Sequence, residues 1–116
     1  MTDVLLKLTD TMKGTVCYLV IDGELDAKTA PILKAKFDAL HTAGVVKIVC
    51  DCEKLKYIAS AGVGILNAAL HACKQKGGEI VLSGLTGQIK NTLEVMYFTK
   101  KVRCFLTSEQ AIGALK

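Results

Sequence analysis

Short β-favouring runs alternate with amphipathic helical segments along nearly the whole chain, and this alternation narrows the fold more than any other feature. Residues 15–21 (TVCYLVI), 45–51 (VVKIVCD) and 79–83 (EIVLS) are almost unbroken apolar, β-branched runs. Runs lacking a polar alternate read as strands buried on both faces. A helix-patterned stretch follows each. Thr29 as a cap, Pro31 in the first turn, and Leu33, Phe37 and Leu40 at i, i+4 and i+7 predict a helix that Gly44 ends. A second helix is expected from Ser60 to about Lys76, with Leu66, Ala69, Leu70 and Cys73 on one face and Gly77-Gly78 as its stop. Thr86 opens a third, reaching about Met96, and Thr107 with Gln110 forms a capping box for a last helix ending at Leu115. Residues 4–8 read as an edge strand and 104–106 as a short final strand. The order β-β-α-β-α-β-α-β-α implies one α/β domain, residues 1–116. Its sheet is mixed, with about five strands and about four helices joined by right-handed crossovers.

Composition excludes several classes. With 51% hydrophobic and 22% charged residues among 116, the chain can bury a normal core and is not a disordered sequence. No apolar run approaches the roughly 18 residues of a membrane span. The start, MTDVLLKLTD, has an early acid and no long apolar stretch, so it does not read as a secretory signal. A cytoplasmic location is the expectation. The formal charge is +4, and the basic residues are scattered apart from Lys100, Lys101 and Arg103. That is too sparse for direct nucleic-acid binding.

The five cysteines are an odd number, as expected of a reducing compartment. Cys50 and Cys52 share a strand face, but no second Cys or His pair accompanies them to make a zinc site. They read as small buried hydrophobes, and neither metal nor cofactor is expected. His41 and His71 each stand alone on a helix as surface or boundary residues. No Ser–His–Asp or Cys–His arrangement is suggested, so no catalytic residue is assigned and the chain does not read as an enzyme.

In an open sheet of this kind, functional loops lie beyond the carboxyl ends of the strands. Two are candidates. The first is the polar segment 23–28 (GELDAK), where Asp22, Glu24 and Asp26 cluster; these are either solvated turn residues, with Asp26 supporting the next helix start, or Asp26 lies beside Ser60 and positions it or contacts a partner kinase. The second follows Asp51, in DCEKLKYIASAGVGIL, where Ser60 and two glycines open a helix. A hydroxyl there meets unpaired backbone N–H groups and the favourable end of the helix dipole. Ser60 is therefore either a plain N-cap or a place where a phosphoryl group can be added without breaking the fold. Glycine inside a helix costs about 1 kcal/mol relative to alanine, so Gly62 and Gly64 need a reason: close approach of the sheet, of a partner backbone or of a phosphate. No P-loop lysine follows them. A receiver-type reading, with Asp51 as phosphoacceptor, lacks the lysine it needs in EIVLSG.

Gly23-Glu24-Leu25-Asp26 followed by Thr29-Ala30-Pro31, and the segment from Asp51 through Tyr57, Ile58, Ser60, Gly62 and Gly64, together resemble the two signatures of STAS domains. The resemblance is strongest to the small anti-sigma factor antagonists and extends over essentially the whole chain. It implies a protein that performs no chemistry itself. Such a protein binds an anti-sigma factor, often a serine kinase, so that a sigma factor is released. The serine matching Ser60 is phosphorylated by that kinase, which ends binding, and a serine phosphatase restores it. An interaction surface is then expected from Gly23, Glu24, Asp26, Thr29, Tyr57, Ile58, Ala61, Gly62, Val63 and Gly64. One position departs: the family usually carries Asp immediately before the serine, and here it is Ala59. That departure keeps open a STAS subunit of another assembly, such as a stress-signalling scaffold or a lipid transporter, without a phospho-switch. From a different class, a small enzyme or phosphate binder would use the Gly62–Gly64 turn and Asp26.

Overall fold

A computed structural model describes residues 5–116. β1 (Leu6–Lys13) and β2 (Val16–Leu25) form an antiparallel pair, and α1 (Ala30–Thr42) leads to β3 (Lys47–Asp51). A short β4 (Leu55–Ile58) precedes α2 (Ser60–Gln75). β5 (Glu79–Ser83), α3 (Gly87–Val95), a 3-10 turn (Phe98–Lys100), β6 (Arg103–Phe105) and α4 (Ser108–Leu115) complete the chain. The main sheet order is β1-β2-β3-β5-β6, parallel from β2 onward, and β4 pairs with the far end of β2. The expected mixed α/β architecture holds, with one strand more than expected.

Side chains alternate across the strands and divide the core in two. Leu19, Ile21, Ile48, Cys50, Ile80 and Leu82 face α1, α2 and α3, which contribute Leu33, Phe37, Leu66, Leu70, Cys73, Ile89 and Leu93. Val16, Val49 and Val81 face the other way, under Ala111 and Leu115 of α4. Cys17, Cys50, Cys52 and Cys73 are all buried free thiols, as small hydrophobes should be.

Two expectations are corrected. Residues 23–28 are not a loop throughout, because β2 continues through Gly23 and Glu24 to Leu25. The reason is long-range pairing: β4 supplies a second neighbour through Glu24↔Tyr57 and Leu25↔Ile58. Gly23 sits at φ 121°, and a Cβ there would collide with the Leu5 carbonyl oxygen, so this close three-strand junction requires glycine. The second correction concerns the first strand, which extends to Lys13, well past the expected residues 4–8. Val4 lies outside the described residues.

Candidate functional site

The end of β2 and the start of α2 are built onto each other. The Ala59 N–H donates to the Leu25 carbonyl at 2.9 Å. Gly62 lies so close to Leu25 that a Cβ there would stand 2.5 Å from its Cγ. This close approach is the reason for Gly62. Gly64 has open space around it, so no internal contact explains it.

Ser60 is exposed and is the first residue of α2, not its cap. The cap position belongs to Ala59, extended at φ −113° and ψ 171°, which has no side-chain oxygen to offer. The Ala59 carbonyl accepts from Gly62 at 3.0 Å and Val63 at 3.2 Å. The N–H groups of Ser60 and Ala61 have no backbone partner among the described residues. The hydroxyl therefore stands at a bare helix start, with two free donors and the positive end of the dipole beside it.

The β2–α1 turn is tied down by its own polar groups. The Asp26 carboxylate accepts from the N–H groups of Lys28 at 2.9 Å and Thr29 at 3.1 Å. The buried Thr29 hydroxyl donates to the Glu24 carbonyl at 2.8 Å and accepts from the Asp26 N–H at 2.9 Å. Thr29 occupies the cap position of α1, yet its side chain stitches the turn and caps nothing. Asp26 supports the start of α1, as the first of its two readings had it, and no hydrogen bond joins it to Ser60 among the described residues.

The expected surface residues separate by exposure. Glu24, Tyr57, Ser60 and Gly64 are exposed, and Gly23, Asp26 and Ala61 are half-buried. Thr29, Ile58, Gly62 and Val63 are buried and shape this surface from beneath. Sequence reasoning missed Leu25 as the joint between the two segments. Its signal was one large apolar residue inside an otherwise polar GELDAK.

Asp51 is 8% exposed, and its carboxylate accepts from the Tyr18 hydroxyl and, at 2.9 Å, from the Glu53 N–H. It is a structural anchor, not an open acceptor. Burial first, and the Asp51 carboxylate second, push the Tyr18 pKa up. Burial likewise pushes the Cys52 thiol to about 12 and the Cys73 thiol to about 11, leaving both as unreactive thiols. His41 Nε2 meets Cys73 Sγ at 3.2 Å across α1 and α2, and His71 is exposed beside Gln75. Among the described residues no group of three or more His, Cys, Asp or Glu is placed to hold a metal ion. No helix among them is long and apolar enough to cross a membrane.

The chain matches the STAS domain family over residues 7–111. It is 27% identical over 77 residues to an anti-sigma-B factor antagonist of Listeria monocytogenes, spanning 66% of this chain and 68% of that protein. An anti-sigma factor antagonist from Mycobacterium paratuberculosis superposes with a TM-score of 0.86 at 19% identity, covering 95% of this chain and 93% of that one. The Bacillus cell fate determinant SpoIIAA in its phosphorylated form gives a TM-score of 0.75 at 19% identity, covering 95% and 100%.

Proposed function

The chain belongs to the STAS domain family, and on that footing we propose that it is an anti-sigma factor antagonist whose whole length forms one binding domain. It binds an anti-sigma factor of the serine-kinase type through the surface around Ser60, and the sigma factor is released. Phosphorylation of Ser60 by that kinase ends binding, and a serine phosphatase reverses it. The protein supplies no catalytic group of its own and acts in the cytoplasm.

The observation that carries this reading is the exposed Ser60 hydroxyl at the first position of α2, beside two unpaired amides. A phosphoryl group adds about −1.5 to −2 charges at pH 7. At a helix N-terminus that charge is favourable, so the fold survives. What changes is the docking surface. Tyr57, Ala61 and Gly64, which flank the hydroxyl along the chain, carry no charge. Burying a dianion against a partner there carries a desolvation penalty that the neutral hydroxyl does not. Gly64, which nothing inside the fold requires, lets a partner backbone approach the helix closely.

The test is incubation with the neighbouring anti-sigma kinase and ATP, followed by intact mass and site mapping. A single phosphate on Ser60, absent from Ser60→Ala, supports the switch. Ser60→Asp should fold normally and bind the anti-sigma factor at least about tenfold more weakly, or about 1.4 kcal/mol. Ala59 favours a second reading, since no carboxylate stands beside the hydroxyl to orient it. In that reading the chain is a constitutive STAS subunit of another assembly, a stress-signalling scaffold or a lipid transporter. No phosphate, from a kinase active on another substrate, would select it.

A further inference from the structure

We propose that the outer edge of β6 and the facing side of α3 form a second docking site, which takes an extended acidic segment of a partner protein as an added strand. β6 ends the sheet, pairing with β5 on one side only. The Phe105 carbonyl accepts from Gly84, so Phe105 turns its backbone groups toward β5. By the alternation of a strand, Cys104 turns its N–H and carbonyl outward. The outward side borders a shallow hollow that α3 walls on one side. A hollow of about 740 Å³ runs between β6 and α3, with Lys90 and Glu94 on the helix wall and Lys100 and Lys101 at one end. A smaller hollow of about 220 Å³ continues it at the other end, lined by Leu85, Phe105 and the exposed Leu106 together with Gly84, Cys104 and, again, Lys90. Leu106 is 86% exposed. An edge strand facing a helix across a groove is the arrangement in which peptides bind by strand addition.

Charge and shape choose the occupant. Arg103 is neutralised by a two-pronged pairing with Glu79, at 2.8 Å for each bond. Of the residues lining the larger hollow, Lys90, Lys100 and Lys101 stand against one further acid, Glu94, with Lys100 lying 5.5 Å from the Tyr97 ring, and Lys74 adds a further cation where a neighbouring hollow shares Lys100 and Lys101. The complement is an acidic segment. Lysines beside an edge strand also discourage self-pairing, but that role needs no hollow and no apolar end pocket. A bilayer is flat and cannot follow lysines into a groove. A polynucleotide has no aliphatic side chain for the Leu85–Phe105–Leu106 end. An acidic peptide carrying an aliphatic residue satisfies both ends.

The probe is a fluorescein-labelled peptide of alternating glutamate and valine, titrated into isotope-labelled protein and followed by anisotropy and amide shifts. Shifts confined to Leu85, Lys90, Glu94 and residues 99–106, with binding that weakens as salt rises, are expected. Lys90→Glu combined with Lys101→Glu should weaken binding by about tenfold or more. The same peptide N-methylated at every residue keeps its side chains but has no N–H donors on either edge, and should not bind. Cys104→Pro removes the outward N–H and no ladder bond, and should lose binding at an unchanged melting temperature. Absence of shifts up to millimolar peptide, or equal binding of the N-methylated peptide, would overturn the proposal. So would tighter binding of phosphatidylserine vesicles or of an oligonucleotide at the same lysines.

Discussion

Replacing Ala59 by aspartate tests the central structural statement about this site, that α2 starts uncapped. Ala59 has the extended backbone of a cap residue and no side-chain acceptor, and the amides of Ser60 and Ala61 have no backbone partner among the described residues. A carboxylate introduced there can accept from the Ala61 N–H, since the Gly62 N–H is already bonded to the Ala59 carbonyl. Gaining a cap is worth about 1 kcal/mol, within about 0.5–2, and the helix dipole adds a few tenths. For a domain of this length that is a rise of about 4 °C in Tm. Thermal and urea unfolding of Ala59→Asp, with Ala59→Asn to separate hydrogen bonding from charge, measures it. The charge-assisted part of the gain requires an ionised carboxylate. Accepting an amide holds its folded pKa below the ordinary value of about 3.9, so that part is present above that pH and lost as pH falls through the folded pKa. A second arm follows from the first. A phosphate on Ser60 competes for the same amides and repels the introduced carboxylate, so phosphorylation should stabilise the parent chain more than Ala59→Asp. A variant no more stable than the parent, or equal stabilisation of both by the phosphate, would refute the bare helix start.

The two glycines of α2 should respond in opposite directions. Gly62→Ala forces a Cβ to 2.5 Å from Leu25 Cγ and should cost about 1–3 kcal/mol by unfolding. Gly64→Ala meets nothing within 4 Å and should stabilise by about 1 kcal/mol, while weakening anti-sigma factor binding if a partner backbone approaches there. Tyr18→Phe removes the hydroxyl bonded to Asp51 and should cost about 1.5–3 kcal/mol. Because the folded Tyr18 pKa is raised, its contribution is complete below pH of about 10 and lost as pH rises through the folded value; the alkaline fall in stability should shrink in the variant. Of the five cysteines only Cys104 is exposed, so a thiol reagent on the native protein should find one fast site, which Cys104→Ser abolishes.

The main layers of the fold were legible because each rests on a local pattern. β5 at Glu79–Ser83 and α2 with Leu66, Ala69, Leu70 and Cys73 buried follow directly from residue spacing, and Thr107 does accept from the Gln110 N–H at 3.2 Å. What escaped was β4. Leu55 and Ile58 are buried while Lys56 and Tyr57 between them are exposed, a sequence of burial with no period of two. Its pairing register also shifts between Gly23 and Glu24. A strand of four residues held by an irregular long-range ladder leaves no periodic trace.

That omission bears on the site more than on the fold. Without β4, GELDAK reads as a polar loop free to move, and Asp26 looks available to position Ser60. With β4 in place, the β2 backbone is held by β1 up to Gly23 and by β4 from Gly23 to Leu25, and the Leu25 carbonyl accepts from the Ala59 amide. Asp26 is then consumed by the start of α1. The surface around Ser60 is thus the exposed rim of a sheet–helix joint, held from below by Thr29, Ile58, Gly62 and Val63. If Ser60 is the proposed switch, a phosphate there alters the electrostatics of this rim, and the difference in partner affinity arises in the interface itself.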